Sequence, residues 1–202
     1  EALAKDPELG AAHVGLGVLD YRAGLFESAR DHLRAAVTRN PASDEAWYYL
    51  ALSLAALGEE EEAVEILRRL VGRPACRREA TITLARLALR ADDPGEALQV
   101  LGETPRGAVV RFERAVALRR AGFTEEAGRA LREAAGDPLA VEVAAEEYLA
   151  AFARNDGAAA SAALARLADL CAPVADEWLE VASRYADLGL RRDAARVLET
   201  AC

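Results

Sequence analysis

Methionine is absent from this 202-residue chain, tryptophan and histidine occur twice each, cysteine three times, and aromatic residues make up only 5%. So few sulfur and imidazole groups leave little material for a metal centre, and Cys76, Cys171 and Cys202 are too scattered for a disulfide framework. An odd number of thiols suits a reducing, cytoplasmic setting. Proline (7) is sparse and glycine (14) no more than average, which together with the lack of aromatics argues against a turn-rich sandwich or barrel. Long hydrophobic runs are missing: the most apolar stretch, Leu50 to Leu57, falls far short of the roughly 20 residues that span a bilayer. No basic segment followed by an apolar one reads as a signal peptide. Lysine appears once, at Lys5, against 24 arginines, a bias that reflects the source genome more than chemistry. The formal charge of -9 disfavours generic nucleic-acid binding.

What is present is alanine, at 48 positions, in a chain that is 52% hydrophobic and 29% charged. That composition folds, and it folds as helix. The helical pattern repeats. Asn40-Pro41 follows Asp6-Pro7 by one unit, and alanines that open the second helix of each unit fall at Ala29, Ala63, Ala97, Ala127, Ala160 and Ala194. Their spacings are 34, 34, 30, 33 and 34 residues.

Within the first unit, Leu16-Gly17, Tyr21, Gly24, Phe26, Ala29, Leu33, Ala36 and Pro41 follow one another in a pattern that resembles the tetratricopeptide repeat. The second unit supplies Trp47, Leu50, Ala51, Leu54, Leu57-Gly58, Ala63, Leu67 and Leu70, and the sixth supplies Trp178, Val181-Ala182, Tyr185, Leu188-Gly189, Ala194 and Leu198. The other three match in part: Leu84-Ala85, Asp92, Ala97 and Leu101; then Ala115, Gly122, Ala127, Leu131 and Ala134; then Ala151, Asn155, Ala160, Leu164 and Leu167. Gly17, Ala51, Ala85, Ala115 and Ala182 are small enough to let paired helices approach closely. Gly24, Gly58, Gly122 and Gly189 fall just past helix ends, while Pro41, Pro74, Pro138 and Pro173 mark the starts of new pairs.

The resemblance implies an all-α fold, a right-handed α-α superhelical solenoid of tetratricopeptide-like helix pairs, from a bacterial source. The expected units cover about 10–41, 44–74, 78–105, 106–137, 138–172 and 174–202 as one array over 1–202, with 1–7 the end of a preceding helix. The expected helices are 10–23, 26–39, 43–57, 60–71, 75–90, 94–102, 106–121, 124–135, 138–154, 157–171, 174–188 and 191–201. Unit three is shortened by about one helical turn around Gly102, Pro105 and Gly107, where the array should bend or slip. Terminal units of a solenoid need a polar outer face. None is evident here, so the parent protein is expected to continue, or the ends to be covered by a partner or by self-association.

Chemistry-bearing motifs are few. Gly15-Leu16-Gly17 has no preceding strand, and Asp20 stands where a dinucleotide loop needs its third glycine. His13 and His32 are not spaced as helical metal ligands; His13 is expected in the place of Trp47 and Trp178, and His32 on the outer helix. Glu59 to Glu62 open a helix, where acids complement the dipole. No nucleophile with a neighbouring base can be placed, so neither a catalytic site, a cofactor nor a metal is expected.

In arrays of this family the first helices line a concave groove. The resemblance therefore implies a partner-binding surface of Val14, Val18, Tyr21 and Arg22, then Tyr48 and Leu52, then Ile82, Arg86, Leu89 and Arg90, then Phe112, Val116, Arg119 and Arg120, then Leu149 and Phe152, and last Leu179 and Ser183. Between Arg68 and Arg132 there are 14 arginines against 8 acids, so the middle is basic within an acidic chain. Either these arginines pair with acids of adjacent units, or they form a band that attracts an acidic partner. The groove lacks the Lys and Asn of the family's carboxylate clamp and its asparagine ladder. The function expected is a non-enzymatic scaffold that binds a protein or peptide, with no nucleic acid and no membrane. The alternative is a structural or regulatory arm of a larger bacterial enzyme or transcription regulator.

Overall fold

A computed structural model describes residues 7–102, 107–134, 140–171, 175–187 and 190–201. The elements are all helices: α1 (Pro7–Arg22), α2 (Phe26–Arg39), α3 (Asp44–Ala56), α4 (Glu60–Val71), α5 (Arg77–Arg90), α6 (Pro94–Gly102), α7 (Ala108–Arg120), α8 (Thr124–Ala134), α9 (Ala140–Ala153), α10 (Gly157–Cys171), α11 (Ala175–Asp187) and α12 (Arg191–Ala201). They fall within three residues of the helices expected from the sequence. Of the segment 1–7, residues 1–6 lie outside the described residues and Pro7 opens α1. Pro105, Pro138, Pro173 and Gly189 also lie outside them. The chain divides into two compact units, Glu1–Leu84 and Ala85–Cys202.

The same backbone hydrogen bond recurs in all six helix pairs. In each, an amide donates to the carbonyl five residues back: Leu25 to Asp20, Glu59 to Leu54, Asp93 to Ala88, Phe123 to Leu118, Asp156 to Ala151 and Leu190 to Tyr185, at 2.8–3.0 Å. That bond requires a left-handed residue just before the donor. Gly24, Gly58 and Gly122 supply it at φ 77°, 82° and 87°, and in units three and five Asp92 and Asn155 take the same conformation at 59° and 58°. The short polar side chains of Asp and Asn tolerate this region best after glycine. One residue group later, Ala29, Ala63, Ala97, Ala127, Ala160 and Ala194 close the first turn of each second helix on Leu25, Glu59, Asp93, Phe123, Asp156 and Leu190. Asp93 and Asp156 also cap their helices, accepting from the amides of Glu96 (2.9 Å) and Ala159 (3.0 Å).

Between pairs the turns differ. Ser43 caps α3 by accepting from the Ala46 amide at 3.2 Å, and the Trp47 indole donates to the Pro41 carbonyl at 2.9 Å. Pro41 and Pro74 thus sit in the connecting turns, not in the first helical turn. In unit three α6 has 9 residues, the shortest of the described helices, as the 30-residue spacing implied.

In residues 1–84, α1 packs on α2, α2 on α3, α3 on α4, and α1 touches α3. Ala29, Leu33, Ala36, Leu50, Ala51, Leu54, Ala63 and Leu67 are fully or almost fully buried. Gly17 is the tightest point: a Cβ there would lie 2.5 Å from Leu33 Cγ and 3.3 Å from the Ala29 carbonyl oxygen. In residues 85–202, consecutive helices from α6 to α12 pack in turn, while α7 touches α9 and α9 touches α11. This nearest-neighbour pattern is that of a repeat array.

Candidate functional site

On the first helices of residues 1–84, Val14, Val18, Tyr21, Tyr48, Leu52 and Ile82 are half-buried and Arg22 is exposed. An aromatic cluster occupies this region. Tyr21 stands edge-on to Tyr49 with ring centroids 5.7 Å apart, Tyr49 meets Tyr48 at 5.8 Å, and Phe26 flanks Tyr21 at 5.6 Å. The Tyr48 hydroxyl lies 3.2 Å from Thr83 Oγ1, linking α3 to α5. Burial, and then the nearby Tyr48 and Tyr49, push the Tyr21 phenol above its ordinary pKa, so Tyr21 is neutral at physiological pH. Tyr49, Phe26 and Thr83 were not among the residues expected there. Helical projection places Tyr21 and Tyr48 on this face and misses Tyr49, although Tyr49 is adjacent to Tyr48 and shares its aromatic character.

The corresponding positions of residues 85–202 are closed. Phe112, Val116 and Leu149, expected on an open groove, are buried at 1%, 0% and 3% exposure, and Leu89 is buried with them. Their role here is packing, because α7, α9 and α11 touch along this side. Phe152 does remain 51% exposed, but the Arg196 guanidinium of α12 stacks 3.6 Å from its ring centroid. Leu179 and Ser183 are exposed.

The central arginines are spent on internal carboxylates. Arg86 of α5 donates twice to Glu113 Oε1 of α7, at 2.8 Å from Nε and 2.5 Å from Nη2. Arg119, its side chain only 7% exposed, donates from Nε to Glu146 Oε1 at 2.5 Å and from Nη2 to Asp193 Oδ2 at 2.7 Å. The Tyr185 hydroxyl completes the network by donating to Glu146 Oε2 at 2.8 Å. Burial alone would lower the Arg119 pKa, but the Glu146 carboxylate outweighs it and raises the value. Tyr185 is pushed well above its ordinary pKa by burial and then by Glu146. Arg120 pairs with Asp92, while Arg90 is exposed. Of the two readings of the basic middle, pairing with acids of adjacent units describes Arg86, Arg119 and Arg120.

The two histidines, 19 residues apart, meet. His13 Nδ1 of α1 and His32 Nδ1 of α2 are 3.0 Å apart, so one ring donates and the other accepts. Burial first, then Arg39 and His32, lower the His13 pKa. Spacing within one helix could not reveal this contact; the antiparallel pairing of α1 and α2 creates it. Among the described residues, no group of three or more His, Cys, Asp and Glu is placed to hold a metal ion. No described helix is long and apolar enough to cross a membrane. Cys171 is buried, and burial followed by Asp44 raises the Cys76 pKa, the opposite of what an activated thiolate needs; Cys202 lies outside the described residues.

Comparison with known proteins agrees with this geometry. A family model described as tetratricopeptide repeat matches residues 1–44 and 14–77. No curated protein matches the sequence. Among solved structures, a thermophilic tetratricopeptide-repeat protein of Thermus thermophilus superposes with a TM-score of 0.65 at 24% identity, over 89% of this chain and 98% of that one. PilW, a type IV pilus biogenesis factor, gives 0.71 at 15% identity over 93% and 90%. The Cut9-Hcn1 hetero-tetramer of the APC/C gives 0.66 at 18%, with 96% of this chain matching 40% of that one. At these identities the likeness is one of fold.

Proposed function

We propose that this chain, which matches the tetratricopeptide repeat over residues 1–77 and shares its fold beyond them, is a non-catalytic scaffold that binds a protein segment on the first-helix face of residues 14–82. The observation that carries this reading is the Tyr21, Tyr49 and Tyr48 cluster, half-buried and contiguous across α1 and α3. Tyrosine offers a large, rigid contact area with a polar tip, and such residues dominate interface energetics. Val14, Val18, Leu52 and Ile82 supply the apolar surround, and Arg22 lies exposed beside Tyr21 on α1. The occupant that fits is a peptide or helix presenting apolar side chains, held by burial more than by charge, because Arg86 and Arg119 already hold carboxylates. Reduced thiols favour the cytoplasm as the place of action.

A photo-crosslinking residue placed at Val18 or Leu52 should capture a discrete partner in cells, and the same probe at exposed Leu170 should not. Tyr21→Ala with Tyr48→Ala should abolish capture while the helical circular dichroism is kept. Equal capture from all three positions, or capture that survives the double substitution, would remove the assignment.

A further inference from the structure

The second helices of neighbouring pairs are held together differently in the two parts of the chain. Between α2 and α4 opposite charges bridge the seam: Arg30 Nη1 reaches Glu59 Oε1 at 2.9 Å, and Arg34 Nη2 reaches Glu62 Oε2 at 2.7 Å. Among the described residues, no ion pair joins α8 to α10. The α10 sequence GAAASAALARLADLC offers alanines where α4 offers glutamates, and its one acid is Asp169. Ala160 is half-buried, unlike the fully buried Ala29, Ala63, Ala97 and Ala127 of the same register.

The result is a crevice of about 260 Å³ walled by α8, α9 and α10. Its lining includes the small residues Gly128, Ala150, Ala159 and Ala163, and three arginines enter from three sides: Arg132 from α8, Arg154 from the turn after α9 and Arg166 from α10. One carboxylate, Glu147, shares the lining and pairs with Arg166. Among the described residues, the one hydrogen bond of Arg154 is a long 3.5 Å contact from Nη1 to the Thr124 carbonyl. No carboxylate among the described residues pairs with Arg132 or Arg154. The crevice thus carries a formal excess of two positive charges around a floor of alanines.

We propose that this crevice is a binding site for an oxyanionic group, a carboxylate or a phosphate, clamped by Arg132 and Arg154 with Arg166 as the third wall. A guanidinium presents two parallel N–H groups that match the oxygens of either anion, and such charge-assisted bonds are stronger than neutral ones. The volume lies just under the range of pockets for drug-sized ligands, so it suits a small anion or a single acidic group. Alanines leave the approach unobstructed. The site is separate from the tyrosine face, and its existence does not rest on that reading.

The test titrates the full 202-residue chain with inorganic pyrophosphate and, separately, with citrate, following the amide resonances of Gly128, Ala159 and Ala163. Saturable shifts with pyrophosphate identify a phosphate site, and with citrate a carboxylate site; either supports the proposal. Arg132→Gln and Arg154→Gln should each weaken binding by about tenfold, the worth of one charge-assisted contact. Arg132→Lys, which keeps the charge and loses the fork, should weaken it less. Arg34→Gln, at the seam that is already ion-paired, should leave it unchanged. Absence of saturable shifts with both anions, or an equal loss from Arg34→Gln, overturns the proposal.

Discussion

Arg119 and Asp193, 74 residues apart in the chain, meet at 2.7 Å, and through them the first turn of α12 is tied to the last turn of α7. Both also belong to the network around Glu146, a carboxylate with no solvent exposure. One guanidinium and one phenol converge on it: Arg119 on Oε1 and Tyr185 on Oε2. Breaking such a buried pair from one side is expensive because the partner is left without its charge.

Glu146→Gln should therefore lower the unfolding free energy by about 3 kcal/mol, toward the lower end of what loss of a buried ion pair costs. The neighbouring Arg120→Gln removes the contact with exposed Asp92 and should cost under about 1 kcal/mol. Urea denaturation midpoints of the two variants separate these outcomes. Similar midpoints would show that the Glu146 network contributes no more than a surface pair.

Gly17→Ala tests the closest approach in α1 and α2. The added methyl would meet Leu33 Cγ at 2.5 Å, well inside contact distance, and the backbone oxygen of Ala29 stands behind it at 3.3 Å. Overpacking of this kind costs about 1–3 kcal/mol, even though alanine is the better helix former. Gly15→Ala, with open space around its position, should be neutral or stabilising. Thermal melts should fall for Gly17→Ala and hold or rise for Gly15→Ala.

The histidine pair makes residues 1–84 sensitive to acid. His13 has a pKa below its unfolded value, so on acidification below about pH 6.5 the unfolded chain takes up a proton more readily than the folded one. Stability contributed here is full above that pH and declines below it. A second proton would also set two cations at the 3.0 Å contact. Melting temperatures measured at pH 7.5 and pH 5.5 should fall further for the native sequence than for His13→Gln. An equal fall would place the acid sensitivity elsewhere.

The repeat architecture was legible because its signals are local. A left-handed turn residue, a buried alanine one turn later and large residues at helical spacing are each read within a few positions, and Asp92 and Asn155 could be aligned with the glycines by register alone. A first-helix face that is not fully buried was legible only on residues 1–84. Helical projection states which side of a first helix Phe112 or Leu149 faces, but not whether the next first helix covers that side. Nor does it see that Arg86 and Arg119 find carboxylates 27 residues further on, since charge pairing across units depends on how the helices stack. The contact between His13 and His32 escaped for a related reason: a motif search looks along one helix, and this pair spans two.

Arg86 to Glu113 and Arg119 to Glu146 are the same link made twice, each spanning 27 residues from one first helix to the next. The helix α7 therefore carries both halves, Glu113 as the receiver of the link before it and Arg119 as the donor of the link after it. A tandem copy of α7 and α8 inserted in register would bring its own glutamate for the existing arginine and its own arginine for the existing glutamate. Neither the insertion nor excision of the same module would leave Arg86 or the buried Glu146 without an opposite charge one unit away. The part of the chain that holds its charges most deeply is thus also the part built to lengthen or shorten by whole units.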